Sequence, residues 1–209
     1  MVAFQTIKQA EKYVGGLGKP SKMPGLSYGI PATRCQVGAE LAKIPNSVCS
    51  DCYALKGRYM FPNVVAAQER RFESLTKPHW VDAMVFLIHR KGEKFFRWHD
   101  AGDLQGQWHL ENIAEVARRC PETRFWLPTR EKSMVASYIK SVVNFPLNLV
   151  IRVSGTMVDG PAPLRFVNTS TVTTDKAGVT CPAQHQGNEC RDCRACWDPA
   201  VPNVAYPKH

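Results

Sequence analysis

Cys190, Cys193 and Cys196 stand at intervals of three, with Cys181 a short way upstream. A Cys-x2-Cys-x2-Cys run lets a chain wrap one metal centre while the amides between the thiols point at sulfur. Bacterial ferredoxins use this tight spacing for [4Fe–4S] clusters, whereas a zinc ion is usually held by two well-separated Cys-x2-Cys knuckles. The run therefore favours an iron–sulfur cluster, with zinc as the alternative. A second knuckle, Cys49-Ser-Asp-Cys52, lies early in the chain, followed by Tyr53 and preceded by Cys35. These early thiols either join a thiol from elsewhere in one site or hold a cluster whose fourth iron is open to substrate. The second option extends to iron the open position that distinguishes catalytic zinc sites. Seven clustered thiols allow one cluster or two. The eighth cysteine, Cys120, follows a helical pattern and precedes a proline, and reads as a buried structural thiol.

The stretch "RWHDAGDL" groups His99, Asp100 and Asp103 around Gly102 after an apolar run. Such a loop can hold a ligand or move a proton, and Gly102 permits a tight turn or close approach. The plainer alternative is that Asp103 caps the next helix and His99 is a satisfied core histidine. "PTREK" offers Arg130 as an anion contact, with Thr129 either beside it or capping a helix.

The elements that must position these groups alternate. Strands are expected near Leu26–Ile30, in "EKFFRWHDAGD", "TRFWLPTR", "LNLVIRVSG" and "LRFVNTSTV", and in "GVTCPA". Helices are expected in "NVVAAQERRFESLTK", with Asn63 as its cap, and in "HWVDAMVFLIHRKG", "QWHLENIAEVARRC" and "EKSMVASYIKSV". The third of these places Leu110, Ile113, Val116 and Ala117 on one face. Strand–helix alternation points to parallel strands joined by crossovers. The expected fold is one α/β domain over residues 1–209, a partial or small barrel with a cysteine loop at 20–62 and a cysteine-rich segment at 178–209. Each strand begins apolar and ends polar, and sites in such folds form at the carboxyl ends of strands. His99, Asp100, Asp103, Thr129, Arg130, Arg152, Ser154 and Thr169 are therefore expected to share one rim with the cysteine loop. Catalytic roles fall to His99, Asp100, Asp103 and Arg130, and cofactor contacts to Gly102, Thr129, Arg152 and Ser154. The metal ligands are Cys35, Cys49, Cys52, Cys181, Cys190, Cys193 and Cys196, with early and late groups meeting around the metal.

The net charge is +9, from 27 basic and 18 acidic residues. It suits a soluble surface, an anionic small-molecule substrate or nucleic acid, although no nucleic-acid motif is present. Metal-bound thiolates would offset part of that charge. No segment reaches the ~20 apolar residues that span a bilayer, and the amino-terminal residues lack a signal-peptide core. A cytoplasmic location is expected, where clustered thiols bind metal or react more often than they form disulfides.

Taken together, "CSDCYALKG", "RWHDAGDLQ" and "CRDCRACW" resemble the bacteriophage gene product 88 family over roughly residues 20–198. This resemblance implies expression inside a bacterial host and carries no established activity. A looser similarity is to radical-SAM-like α/β barrels. There a loop after the first strand ends in Cys-x2-Cys beside an aromatic, as at Cys49, Cys52 and Tyr53. A glycine–acidic motif after the second strand helps hold S-adenosylmethionine, and "AGDL" is similar in kind. The usual Cys-x3-Cys-x2-Cys spacing of that superfamily is not kept, because Cys35 lies far upstream of Cys49. Two functions remain open: an iron–sulfur enzyme with a radical-SAM-like site, or a non-catalytic, metal-stapled module that binds nucleic acid or a host protein.

Overall fold

The computed structural model describes residues 4–208; residues 1–3 and 209, the extreme ends of the expected domain, lie outside the described residues. The chain forms an α/β fold around one six-stranded sheet. Its strands are β1 (Leu26–Tyr28), β2 (Phe95–Trp98), β3 (Arg124–Thr129), β4 (Leu149–Val158), β5 (Thr169–Thr173) and β6 (Asn203–Pro207). Every neighbouring pair is parallel, and spatial order follows chain order. The sheet is open and consistent with a partial barrel.

Among the described residues six α-helices accompany it: α1 (Ile7–Val14), α2 (Val37–Leu41), α3 (Pro62–Ser74), α4 (Trp80–Lys91), α5 (Gln107–Arg119) and α6 (Lys132–Ser141). Strand alternation sorts the side chains between the faces. Phe96, Trp98, Phe125, Leu127, Ile151 and Val153 point into the main core, against Ala10 and Val14 of α1, Trp80, Met84 and Ile88 of α4, and the buried stripe of α5. That stripe contains Leu110, Ile113, Val116 and Ala117, as their helical spacing requires. The other face of the sheet carries Phe95, Trp126 and Val204, packed against Cys181, Cys196 and Trp197.

Two expectations need correction. Asn63 does not cap α3: Pro62 takes the first helical position and Phe61 precedes it. Proline fits there because its missing N–H would have no partner in the first turn. "GVTCPA" is not a strand. Thr180 and Cys181 instead donate their amides to the Ala205 carbonyl beside β6, and β6 itself was not foreseen. The β5–β6 connection crosses the face that the helices leave uncovered.

Candidate functional site

Cys35, Cys49 and Cys52 lie in the long loop after β1. The loop arches across the carboxyl ends of the strands: Val48 donates to the Thr156 carbonyl at 2.9 Å and Val158 to that of Asn46 at 3.0 Å. Further ties bind it to the ends of β2 and β3. Gln105 Nε2 donates to the Arg34 carbonyl at 3.1 Å, and Val37 N to the buried Glu131 carboxylate at 3.0 Å. A Cβ built on Gly38 would stand 3.6 Å from the Cys35 Sγ and 3.7 Å from the Cys49 Sγ. Both sulfurs thus face the same small space over the first turn of α2. Burial pushes the Cys35 thiol up to about 12, aided by the charge of Asp103 and the neighbouring thiols. Cys49 also moves up, chiefly through burial, while Arg130 pulls it down. Thiols crowded in this way stay protonated unless a cation stabilises the thiolates.

Asp103 sits beside this group, almost fully buried. Its carboxylate accepts from Thr129 Oγ1 at 2.6 Å, from Leu104 N at 2.8 Å and from Arg130 N at 2.8 Å. The residue is therefore not a helix cap, since Gly106 precedes α5; it ties the loop after β2 to the end of β3. Thr129 in turn accepts from Glu131 N at 3.1 Å. Gly102 has φ +79, and a Cβ there would lie 2.6 Å from the Ile30 carbonyl oxygen, so its close approach is to backbone. His99 is buried with φ +54, and neither ring nitrogen has a partner. It is thus not the satisfied core histidine of the plainer expectation. Burial, then the nearby His109 and Arg97, hold its pKa well below the usual range. Asp100 Oδ1 and Arg130 Nε are likewise buried without partners.

The late thiols occupy a different place. Cys190 N donates to the Lys22 carbonyl, and Cys193 N closes a turn on Cys190 O, both at 2.8 Å. Cys196 Sγ lies 3.0 Å from Tyr206 Oη. The segment is pinned by Arg152, which is fully buried in the middle of β4. Its guanidinium donates to the carbonyls of Ala195, Cys196, Asp198, Val201 and Thr169. Arg152 therefore does not reach the rim, and its donors are spent on backbone. Ser154 also points inward, its hydroxyl 3.0 Å from that of Ser170, and Thr169 begins β5 instead of ending it. Cys181, Cys190 and Cys196 are all pushed up by burial, Cys196 to about 11.

The early and late groups do not merge. Each thiol perturbed by another thiol takes that neighbour from its own end of the chain. All eight cysteines are free thiols, and Cys120 is buried in the main core. Among the described residues, no three His, Cys, Asp or Glu side chains stand close enough to ligate one metal ion as placed.

Arg97 was not foreseen, although a lone arginine in the apolar run "FFRWH" was a visible signal. Its guanidinium lies 4.4 Å over the Trp126 ring and donates to Tyr53 Oη at 3.3 Å, next to Cys52. Its charge also reaches Cys190 and Cys196. Arg97 thus stands between the two thiol groups. A cavity of about 520 Å³ opens at the ends of β4 and β5, lined by Asp159, Thr173 and Asn203 among others, and no cysteine lines it. Among the described residues no helix is long and apolar enough to cross a membrane.

A family model described as "Gene product 88" matches residues 3–199. No curated protein and no solved structure matches the chain, so the similarity to radical-SAM-like barrels gains no support from these comparisons. The match spans nearly the whole length and contains both cysteine groups and the rim between them, so the chain belongs to the phage gene product 88 family.

Proposed function

We propose that the chain is an iron–sulfur enzyme working inside the bacterial host, with a [4Fe–4S] cluster on Cys35, Cys49 and Cys52. One iron is left open to S-adenosylmethionine. The observation that carries this reading is the gathering of three thiols at the carboxyl ends of the strands, beside polar groups that lack partners. Asp100 Oδ1, Arg130 Nε and the His99 ring nitrogens are buried and unsatisfied. Buried polar atoms are rarely left so, and each such group calls for an explanation. A ligand with both a carboxylate and an ammonium would complete them: Arg130 suits the first and Asp100 the second. Asp103 and Thr129 hold Arg130 in place, and Gly102 lets the loop close on Ile30.

When bound and reduced, such a cluster would supply one electron that splits the sulfonium carbon–sulfur bond of S-adenosylmethionine into methionine and a 5′-deoxyadenosyl fragment, which takes a hydrogen atom from substrate or medium to become 5′-deoxyadenosine. Anaerobically purified, reduced protein should release methionine and 5′-deoxyadenosine from it, and Cys49→Ser should abolish this. Iron-loaded protein that leaves S-adenosylmethionine intact would contradict the assignment. The net charge of +9 favours a second reading, a metal-stapled module that docks on nucleic acid. Binding to DNA or RNA that weakens steeply with salt, in protein holding only zinc, would put it first.

A further inference from the structure

We infer that Cys181, Cys190, Cys193 and Cys196 hold a second iron–sulfur cluster, closed by four thiolates and separate from the early site, against the sheet face that the helices leave uncovered.

Arg152 sets the place of the late thiols. Four of its five donated hydrogen bonds fix the backbone from Ala195 to Val201 across the middle of the sheet. The early thiols instead sit over the strand ends. Trp197 adds a second anchor: its indole donates to the Phe96 carbonyl at 3.0 Å, and its ring meets those of Phe95 and Trp126. Cys181 and Cys196 pack into this same apolar patch, with Tyr206 beside Cys196. The late thiols are thus carried by a preformed support that does not include the early loop.

The surroundings suit a cluster that bears sulfide. Arg97 Nε and Trp126 Nε1 are buried N–H donors without partners, on paired residues of β2 and β3 that face this patch. Cluster sulfur accepts such hydrogen bonds, and they tune its potential. Four thiolates around a core of charge two-plus net about −2. Arg97 and Arg194 supply cations nearby, Arg194 lying 4.9 Å over the Phe95 ring. The turn from Cys190 to Cys193 puts Arg191 at φ +42, a region that residues with side chains avoid. Ligation at both ends of that turn would hold it there.

This inference rests on the reading above only in taking iron over zinc. The test compares anaerobically purified wild type with two variants by iron and acid-labile sulfide content and by electron paramagnetic resonance after reduction. Wild type should hold about eight irons, two clusters of the four-iron type. Cys35→Ser/Cys49→Ser/Cys52→Ser should keep about half of that iron, and Cys190→Ser/Cys193→Ser should keep the other half with a different resonance signal. A triple variant holding zinc or no metal would overturn the second cluster, as would a double variant that keeps all the wild-type iron. Should the triple variant prove insoluble, the double variant decides: iron lost from it sustains the late cluster, and iron unchanged from wild type overturns it. A triple variant with its cluster, alongside a double variant without iron, would sustain this inference and sink the early site instead.

Discussion

At the scale of single residues, Gly38 and the paired histidines make the sharpest predictions. Gly38 lies inside α2, where alanine should favour the helix by about 1 kcal/mol. Its added methyl would press on Cys35 Cβ at 3.0 Å and stand between two sulfurs. Gly38→Ala should therefore leave the apo protein as stable or slightly more so, while iron recovered with the early site falls several-fold. Unchanged iron content would show that the thiols do not close on that space. His99 and His109 face each other with ring centroids 5.2 Å apart, both buried. Burial lowers His109 to about 3 and His99 well below its usual value. In the unfolded chain each takes a proton near pH 6.5. The native state binds fewer protons, so stability is complete above that pH and drains away as pH falls below it. The slope should be about 1.4 kcal/mol per pH unit for each histidine. Urea midpoints of the metal-free protein between pH 7 and 5.5 should show it, and His109→Leu should remove about half. A slope indifferent to His109→Leu would contradict the burial account. The rim residues His99, Asp100, Asp103 and Arg130 were legible as a polar cluster ending two strands. Their hydrogen bonds were not, because Asp103 reaches Thr129 and Arg130 across a distance that only the sheet register sets. Glu131 and Arg97 went unread for the same reason: each matters through a partner remote in sequence.

Among the elements, the β5–β6 connection is the unusual one. It is not a helix, and it lies on the face opposite the other crossovers, held by Arg152, Trp197 and the cysteines. Arg152→Met would leave up to five carbonyls without donors, at about 1–3 kcal/mol for each one that water cannot reach. The expected result is a loss of at least ~3 kcal/mol in chemical denaturation, with iron lost from the late thiols before the early ones. A change below ~1 kcal/mol would show that the segment is held elsewhere. Strands β2, β3 and β4 and helices α4 to α6 were readable because apolar period and length agree in each. β6 was not: "VPNVAYP" carries two prolines, and a proline is tolerated there only because Pro207 ends an edge strand. "GVTCPA" misled for the converse reason. It runs alongside β6 and gives it two amides without entering the sheet.

For the whole molecule, thiols from the two ends of the chain are expected around one metal, and the structure sets them in two groups. One lies over the strand ends and one on the sheet face that the helices leave uncovered, with Arg97 between them. The family match covers both groups and the sheet that carries them. If each group binds metal, ligation free energy is folding free energy, on the order of 10 kcal/mol per site by analogy with structural zinc. Removing metal with a chelator under reducing conditions should then lower the melting temperature by at least ~10 °C. Proteolysis should begin within residues 174–202, ahead of the helices on the other face. A metal-free protein with an unaltered melting temperature and no new cleavage would separate ligation from folding.

Absorption spectroscopy of anaerobically purified protein, with iron and sulfide measured on the same sample, bears most directly on the central claim. The account predicts a brown protein with broad visible absorption that bleaches on reduction and iron and sulfide in equal amounts. A colourless protein with zinc or no metal, its thiols all titratable, would contradict it.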